Sequence, residues 1–124
     1  MKYSINRKTI EYRKEGGNMG FKIESALLEA CVLAVLSKDD TYGYVLTQSM
    51  KKVLDISEST LYPVLRRLQK DEYLRTYDQP FQGRNRRYYS VTEKGKQKCE
   101  TYKGEWKDYK ERIDSLLNGG GNNE

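Results

Sequence analysis

Residues 24–38, ESALLEACVLAVLSK, are apolar almost throughout. The run predicts a helix too short to cross a membrane and therefore buried on most sides. DDTYG breaks it. Residues 42–54, YGYVLTQSMKKVL, then set Val45, Leu46, Met50 and Val53 at helical spacing, which predicts a second helix. After a short turn, ISESTLYPVLRRLQKD (56–71) carries a third. Leu61, Leu65 and Leu68 form its inward stripe, and Ser57 suits the N-cap. Ser59, Thr60, Tyr62, Arg66 and Lys70 fall on the other side. Pro63 lies early enough to forfeit few helical hydrogen bonds, so it bends or tightens the first turn without ending the helix. Three short helices with the last two closely coupled make a helix-turn-helix.

The period then changes. EYLRTY (72–77) and RRYYSV (86–91) are rich in Tyr, Thr and Val, and the segment between them holds Pro80 and Gly83. This predicts a β-hairpin with a long basic tip. The fold class is thus mainly α: a winged helix-turn-helix, three helices plus a two-stranded β wing, over residues 21–91. One long helix follows over 92–117. There Cys99, Tyr102, Trp106, Tyr109, Ile113 and Leu116 alternate in steps of three and four, the seam of a helix that pairs. The seam is short, so it needs the apolar first helix to complete a dimer interface. NGGGNNE ends the helix in a tail, 118–124.

Charge sharpens the functional reading. The formal net charge of the 124 residues is +5, but Lys2, Arg7, Lys8, Arg13 and Lys14 outweigh Glu11 and Glu15 in the N-terminal segment alone. An anion-binding surface in the body must therefore be local. Two elements supply one. Hydroxyls and free N–H groups at the start of the third helix, with Arg66 beyond them, suit base edges and phosphates. Arg84, Arg86 and Arg87 on the hairpin suit phosphate or minor-groove contact. Each element alone reads as a solvated face or a set of caps. Together they point to double-stranded DNA. The alternative is a winged-helix protein-interaction module without direct DNA readout.

Other chemistry is thinly represented. There is no histidine, no phosphate loop and no nucleophile–base pair, and Asp39–Asp40 reads as a helix-ending turn, so no enzyme and no cofactor is expected. Cys31 and Cys99 lack metal-ligand spacing and read as packing residues rather than a thiol switch. They fit a reduced, cytoplasmic protein with no membrane partner. The N-terminal extension, residues 1–20, admits two readings. It is a flexible basic arm, or it lies upstream of the true start. KEGGNM back-translates to an AAGGAGG-like ribosome-binding site just before Met19.

Three motifs together resemble the PadR family of bacterial transcriptional regulators: Tyr42-Gly43-Tyr44, Thr60-Leu61-Tyr62-Pro63, and Arg86 with Tyr88-Tyr89 running through Thr92-Glu93 to Gly95. The resemblance covers about residues 21–117, in the short form with a single C-terminal dimerisation helix. It implies a homodimer joined through the first and last helices, acting on a palindromic operator, usually as a repressor. In some multidrug-binding members a tryptophan midway along the last helix stacks flat ligands at the dimer centre. Trp106 falls at that place beside Tyr102, implying a planar aromatic effector; the alternative is that Trp106 simply packs in the core of the dimer seam. The family also tends to begin just before its first helix, near Met19 here. One position departs. Where the family usually has a glycine after the third helix, this chain has Glu72. A left-handed glutamate there would cost about 1 kcal/mol, so a helix that runs on or turns differently is expected.

Overall fold

The computed structural model describes residues 20–119. The N-terminal extension, the start at Met19 and most of the C-terminal tail lie outside the described residues. The elements run α1 (Ser25–Lys38), β1 (Thr41–Tyr42), α2 (Gly43–Val53), α3 (Glu58–Lys70), β2 (Leu74–Phe81), β3 (Arg84–Val91) and α4 (Glu93–Leu117). α1, α2 and α3 enclose the core, with Leu28, Val32, Leu33 and Leu36 meeting Leu46, Met50, Leu61, Val64, Leu65 and Leu68. Leu74, Val91 and Cys99 close it from the sheet and α4. This is the winged helix-turn-helix that the apolar pattern predicts.

Four details differ from the sequence reading. First, the sheet has three strands, ordered β1-β3-β2. Thr41 and Tyr42 pair with Tyr89 and Tyr88, so Tyr42 belongs to the sheet and α2 begins at Gly43. Second, the inward side of α2 is Leu46, Thr47 and Met50. Val45 and Val53 face outward, Val53 at 76% exposure. Third, the hairpin has no long tip. Its strands pair without a break from Leu74↔Val91 to Phe81↔Arg84, leaving a two-residue turn. Gln82 and Gly83 both have positive φ, 54° and 76°, as in the primed turns whose twist matches paired strands.

Fourth, α3 does end in a left-handed residue, and that residue is Glu72, with φ of 67°. Tyr73 N–H donates to Leu68 O at 2.9 Å and Glu72 N–H to Gln69 O at 3.0 Å. This is the paired closure of a Schellman motif. Hydrogen bonds from α4's first turn hold the same corner. Thr92 Oγ1 donates to Glu72 O at 2.7 Å, and Lys94 Nζ donates to Asp71 O at 3.0 Å. Surrounding bonds thus outweigh the local strain of the glutamate.

Gly95 explains itself at the same corner. A Cβ there would drive into the carbonyl oxygen of Tyr73 and the side chain of Val91. Thr92 caps this turn, its Oγ1 accepting from Gly95 N–H at 2.9 Å. We expect Glu72→Gly to stabilise the fold by about 1 kcal/mol and Gly95→Ala to destabilise it by about 1–3 kcal/mol. Urea denaturation of the two variants checks both signs.

Candidate nucleic-acid interface

α3 forms where it does because Ser57 caps it and its leucines repeat at helical spacing. Ser57 Oγ accepts from Thr60 N–H at 3.3 Å. The same oxygen lies 2.9 Å from Ser59 Oγ and 3.2 Å from Thr60 Oγ1. Three hydroxyls thus form one exposed cluster at the helix N-terminus, already oriented by one another. Pro63 sits inside the helix without ending it. Ser59, Thr60, Tyr62, Arg66 and Lys70 are all exposed, while Leu61, Leu65 and Leu68 are buried.

The neighbouring arginines part company. Arg66 is exposed on the outward face. Arg67 turns back, donating from Nε to Glu29 Oε2 at 2.8 Å and from Nη2 to Ser25 Oγ at 2.5 Å. It ties α3 to α1 and is structural.

Strand alternation divides the wing in the same way. Leu74 and Val91, opposite each other, are buried on the inner face. Steps of two along the pairing put Thr76–Tyr89 and Asp78–Arg87 on that face. Tyr77–Tyr88, Gln79–Arg86 and Phe81–Arg84 take the outer one. The inner face adjoins α3. The Tyr62 hydroxyl and the Tyr89 ring flank Gly43 together. Burial pushes the Tyr89 phenol up and Tyr62 adds to the rise, while Arg87 and Arg66 act in the opposite sense. Arg66, Tyr62, Tyr89 and Arg87 therefore share one side of the molecule.

On the outer face the rings form a ladder. Tyr77 and Tyr88 stack with centroids 5.4 Å apart, and Tyr42 meets Tyr88 edge-on at 5.4 Å and Phe81 at 5.9 Å. The Arg86 guanidinium lies over Tyr42 at 4.6 Å and over Phe81 at 5.7 Å. Arg84 is exposed beside the turn. The three wing arginines named from the sequence thus divide between the faces: Arg84 and Arg86 lie on the outer one, and an alternation count back from Val91 places Arg87 on the α3 side.

α4 is half anchored and half free. Cys99 is buried in the core. Tyr102 packs against that core and donates its hydroxyl to Glu29 Oε1 at 2.8 Å. Burial, then the Glu29 bond, push the Tyr102 phenol well above its ordinary range. These two seam residues are thus occupied within their own chain. Trp106, Tyr109, Ile113 and Leu116 are exposed, Trp106 at 42% and Leu116 at 79%. Among the described residues no helix is long and apolar enough to cross a membrane, and no cluster of side chains could hold a metal ion.

The model of the PadR-like family of transcriptional regulators matches residues 32–101. The chain belongs to this family. It is 33% identical over 97 residues to an uncharacterised protein of Lysinibacillus sphaericus, covering 74% of this chain and 89% of that relative. Among solved structures it is similar to the smu.1704 protein of Streptococcus mutans. The identity there is 42% and the TM-score 0.77, over 82% of this chain and 95% of the other. It is similar also to a PadR-like regulator of Bacillus cereus, at 32% identity and a TM-score of 0.69, over 73% and 91%. PadR-like proteins are DNA-binding transcription regulators rather than enzymes. In this PadR-like regulator the α3 hydroxyl cluster and the basic wing are the elements suited to a duplex.

The contrast between adjacent arginines gives a test. Arg66→Ala should leave thermal stability unchanged and weaken duplex binding. Arg67→Ala strips Glu29 of one partner and should lower stability by about 1–2 kcal/mol, the value of a charged hydrogen bond reduced by solvent screening. Melting curves and fluorescence anisotropy on both variants separate the two roles.

Proposed function

We propose that this regulator acts as a homodimer on a palindromic operator, repressing transcription, and that it responds to a planar aromatic ligand at the dimer centre. The observation that carries the reading is the outer half of α4. Trp106, Tyr109, Ile113 and Leu116 line one side of a helix that has left its own core. Such a stripe, in steps of three and four, matches a helix that packs against another. The rest of that half is laced with exposed pairs, Lys107–Glu111 at 2.9 Å and Asp108–Arg112 at 3.2 Å. They support the helix without covering the stripe.

On this reading Ser59, Thr60, Tyr62, Arg66 and Lys70 contact the duplex from α3, and the wing adds cationic contacts. Two α3 helices related by a two-fold axis would meet half-sites about 10 bp apart. Selection from random DNA tests this, and loss of selectivity in Thr60→Ala or Tyr62→Ala assigns base readout to α3. A ligand site is favoured by Trp106 and Tyr109, whose exposed rings lie 6.4 Å apart. Flat cationic or aromatic molecules stack on such rings. Tyr102, turned to Glu29, would form the inner wall of that site.

Ile113→Asp would place a carboxylate in the stripe of both subunits, an uncompensated charge costing several kcal/mol. Sedimentation should find the wild type dimeric at micromolar concentration and this variant monomeric. Trp106 is the sole tryptophan, so its emission reports one site. Planar dyes should quench it in the wild type, and Trp106→Ala should stay dimeric while losing dye binding.

A further inference from the structure

The wing carries Arg75, Arg84, Arg86 and Arg87, and Asp78 is the one acidic residue in 74–91. Their placement differs more than their charge does. Arg86 is held on three sides, by the Tyr42 ring at 4.6 Å, the Phe81 ring at 5.7 Å and the Phe81 carbonyl, 3.4 Å from its Nε. Tyr42 immediately precedes α2 and pairs with Tyr88 of β3. The guanidinium therefore clips the hairpin to the start of the helix-turn-helix. Among the described residues Arg87 has a single ion-pair partner. Its Nε lies 3.6 Å from Asp78 Oδ1, with the two side chains 64% and 52% exposed. A pair that long and that exposed is weakly held. It also sits directly across the strands on the inner face, the side shared with Tyr62 and Arg66.

We propose that Arg87 is the wing's exchangeable phosphate contact, with Asp78 as its counter-ion in the free protein, and that Arg86 is a positioning residue bracing the wing against α2. The inference rests on the regulator's binding of duplex DNA. A phosphate approaching the inner face meets a carboxylate already occupying its arginine. Asp78 must yield Arg87 for the contact to form, and its charge opposes the phosphate throughout. Asp78 thus restrains the sequence-independent part of the affinity, the part that is almost wholly electrostatic. Arg86, stacked on two rings, exchanges nothing on binding. It fixes the angle at which Arg87 is presented.

The test uses the full chain and a fluorescent mixed-sequence duplex of about 30 bp, titrated across a salt series. Arg87→Ala should weaken binding about eightfold at 0.1 M salt and reduce the salt slope by about 0.9. Asp78→Asn keeps the shape, removes the charge, and should tighten binding while steepening the slope by up to about 0.9. A gain of this kind is not what structural damage produces. Arg86→Met should keep the wild-type slope, lower affinity and speed tryptic cleavage within the wing. Wild-type binding with no salt dependence would overturn the DNA reading itself. With a normal wild-type slope, the inference alone fails on any of three results: an unchanged slope in Arg87→Ala, weaker binding by Asp78→Asn, or a slope lost in Arg86→Met without faster cleavage.

Discussion

One carboxylate fixes the arrangement of the helices. Glu29 is the sole charged side chain between Ser25 and Ser37, in the most apolar helix of the chain. Its side chain is only 16% exposed. A carboxylate withdrawn that far from water is costly unless it is fully partnered. Arg67 of α3 serves one oxygen and Tyr102 of α4 the other. The hydrogen bonds require α1, α3 and α4 to meet in a single rotation and register, which apolar packing alone specifies loosely. The helix that carries the exposed hydroxyl cluster and the helix that carries the exposed apolar stripe are thereby keyed to the same side chain.

The helical part of this design was legible in the sequence because its signals are local. Leu61, Leu65 and Leu68 declare the inner side of α3, Ser57 its start, and the steps of three and four declare α4. The same periodicity could not tell which residues of α4 face their own core. That depends on where α1 ends and on the Glu29 bond, a contact spanning 73 positions in the chain. Cys99 and Tyr102 look like Trp106 in the pattern and differ from it only in space. On α2 the error had a similar source. Val45 and Val53 are apolar, but Thr47 lies at the angle that faces inward, and shape and position override polarity there.

The wing was legible as a hairpin and illegible in its details. Pro80 and a glycine suggested a loop, yet Pro80 lies in a strand opposite Asn85, and the turn is Gln82-Gly83 alone. β1 contributes two residues, too few for any period to register. Arg67 and Arg66 are adjacent and identical in composition terms. Only the presence of Ser25 and Glu29 behind one of them makes it structural. Glu72 shows the limit of a local energy argument. A residue disfavoured in its backbone conformation stays there because Tyr73, Thr92 and Lys94 all bond around it.

The corner where α3, β2 and the start of α4 meet closes the hairpin at its base. Outward of the Tyr77–Tyr88 pair, the last that β1 joins, only the packing of Arg86 and Phe81 on Tyr42 ties the hairpin to the body among the described residues. Adding two residues to each strand would carry the arginines outward by about 7 Å and leave every side chain on its present face. Adding one residue to each strand would instead turn the wing over, exchanging Arg87 with its neighbours on the opposite side. Wing length can thus change in even steps, altering how far the hairpin projects, while α4 and the core beneath it stay as they are.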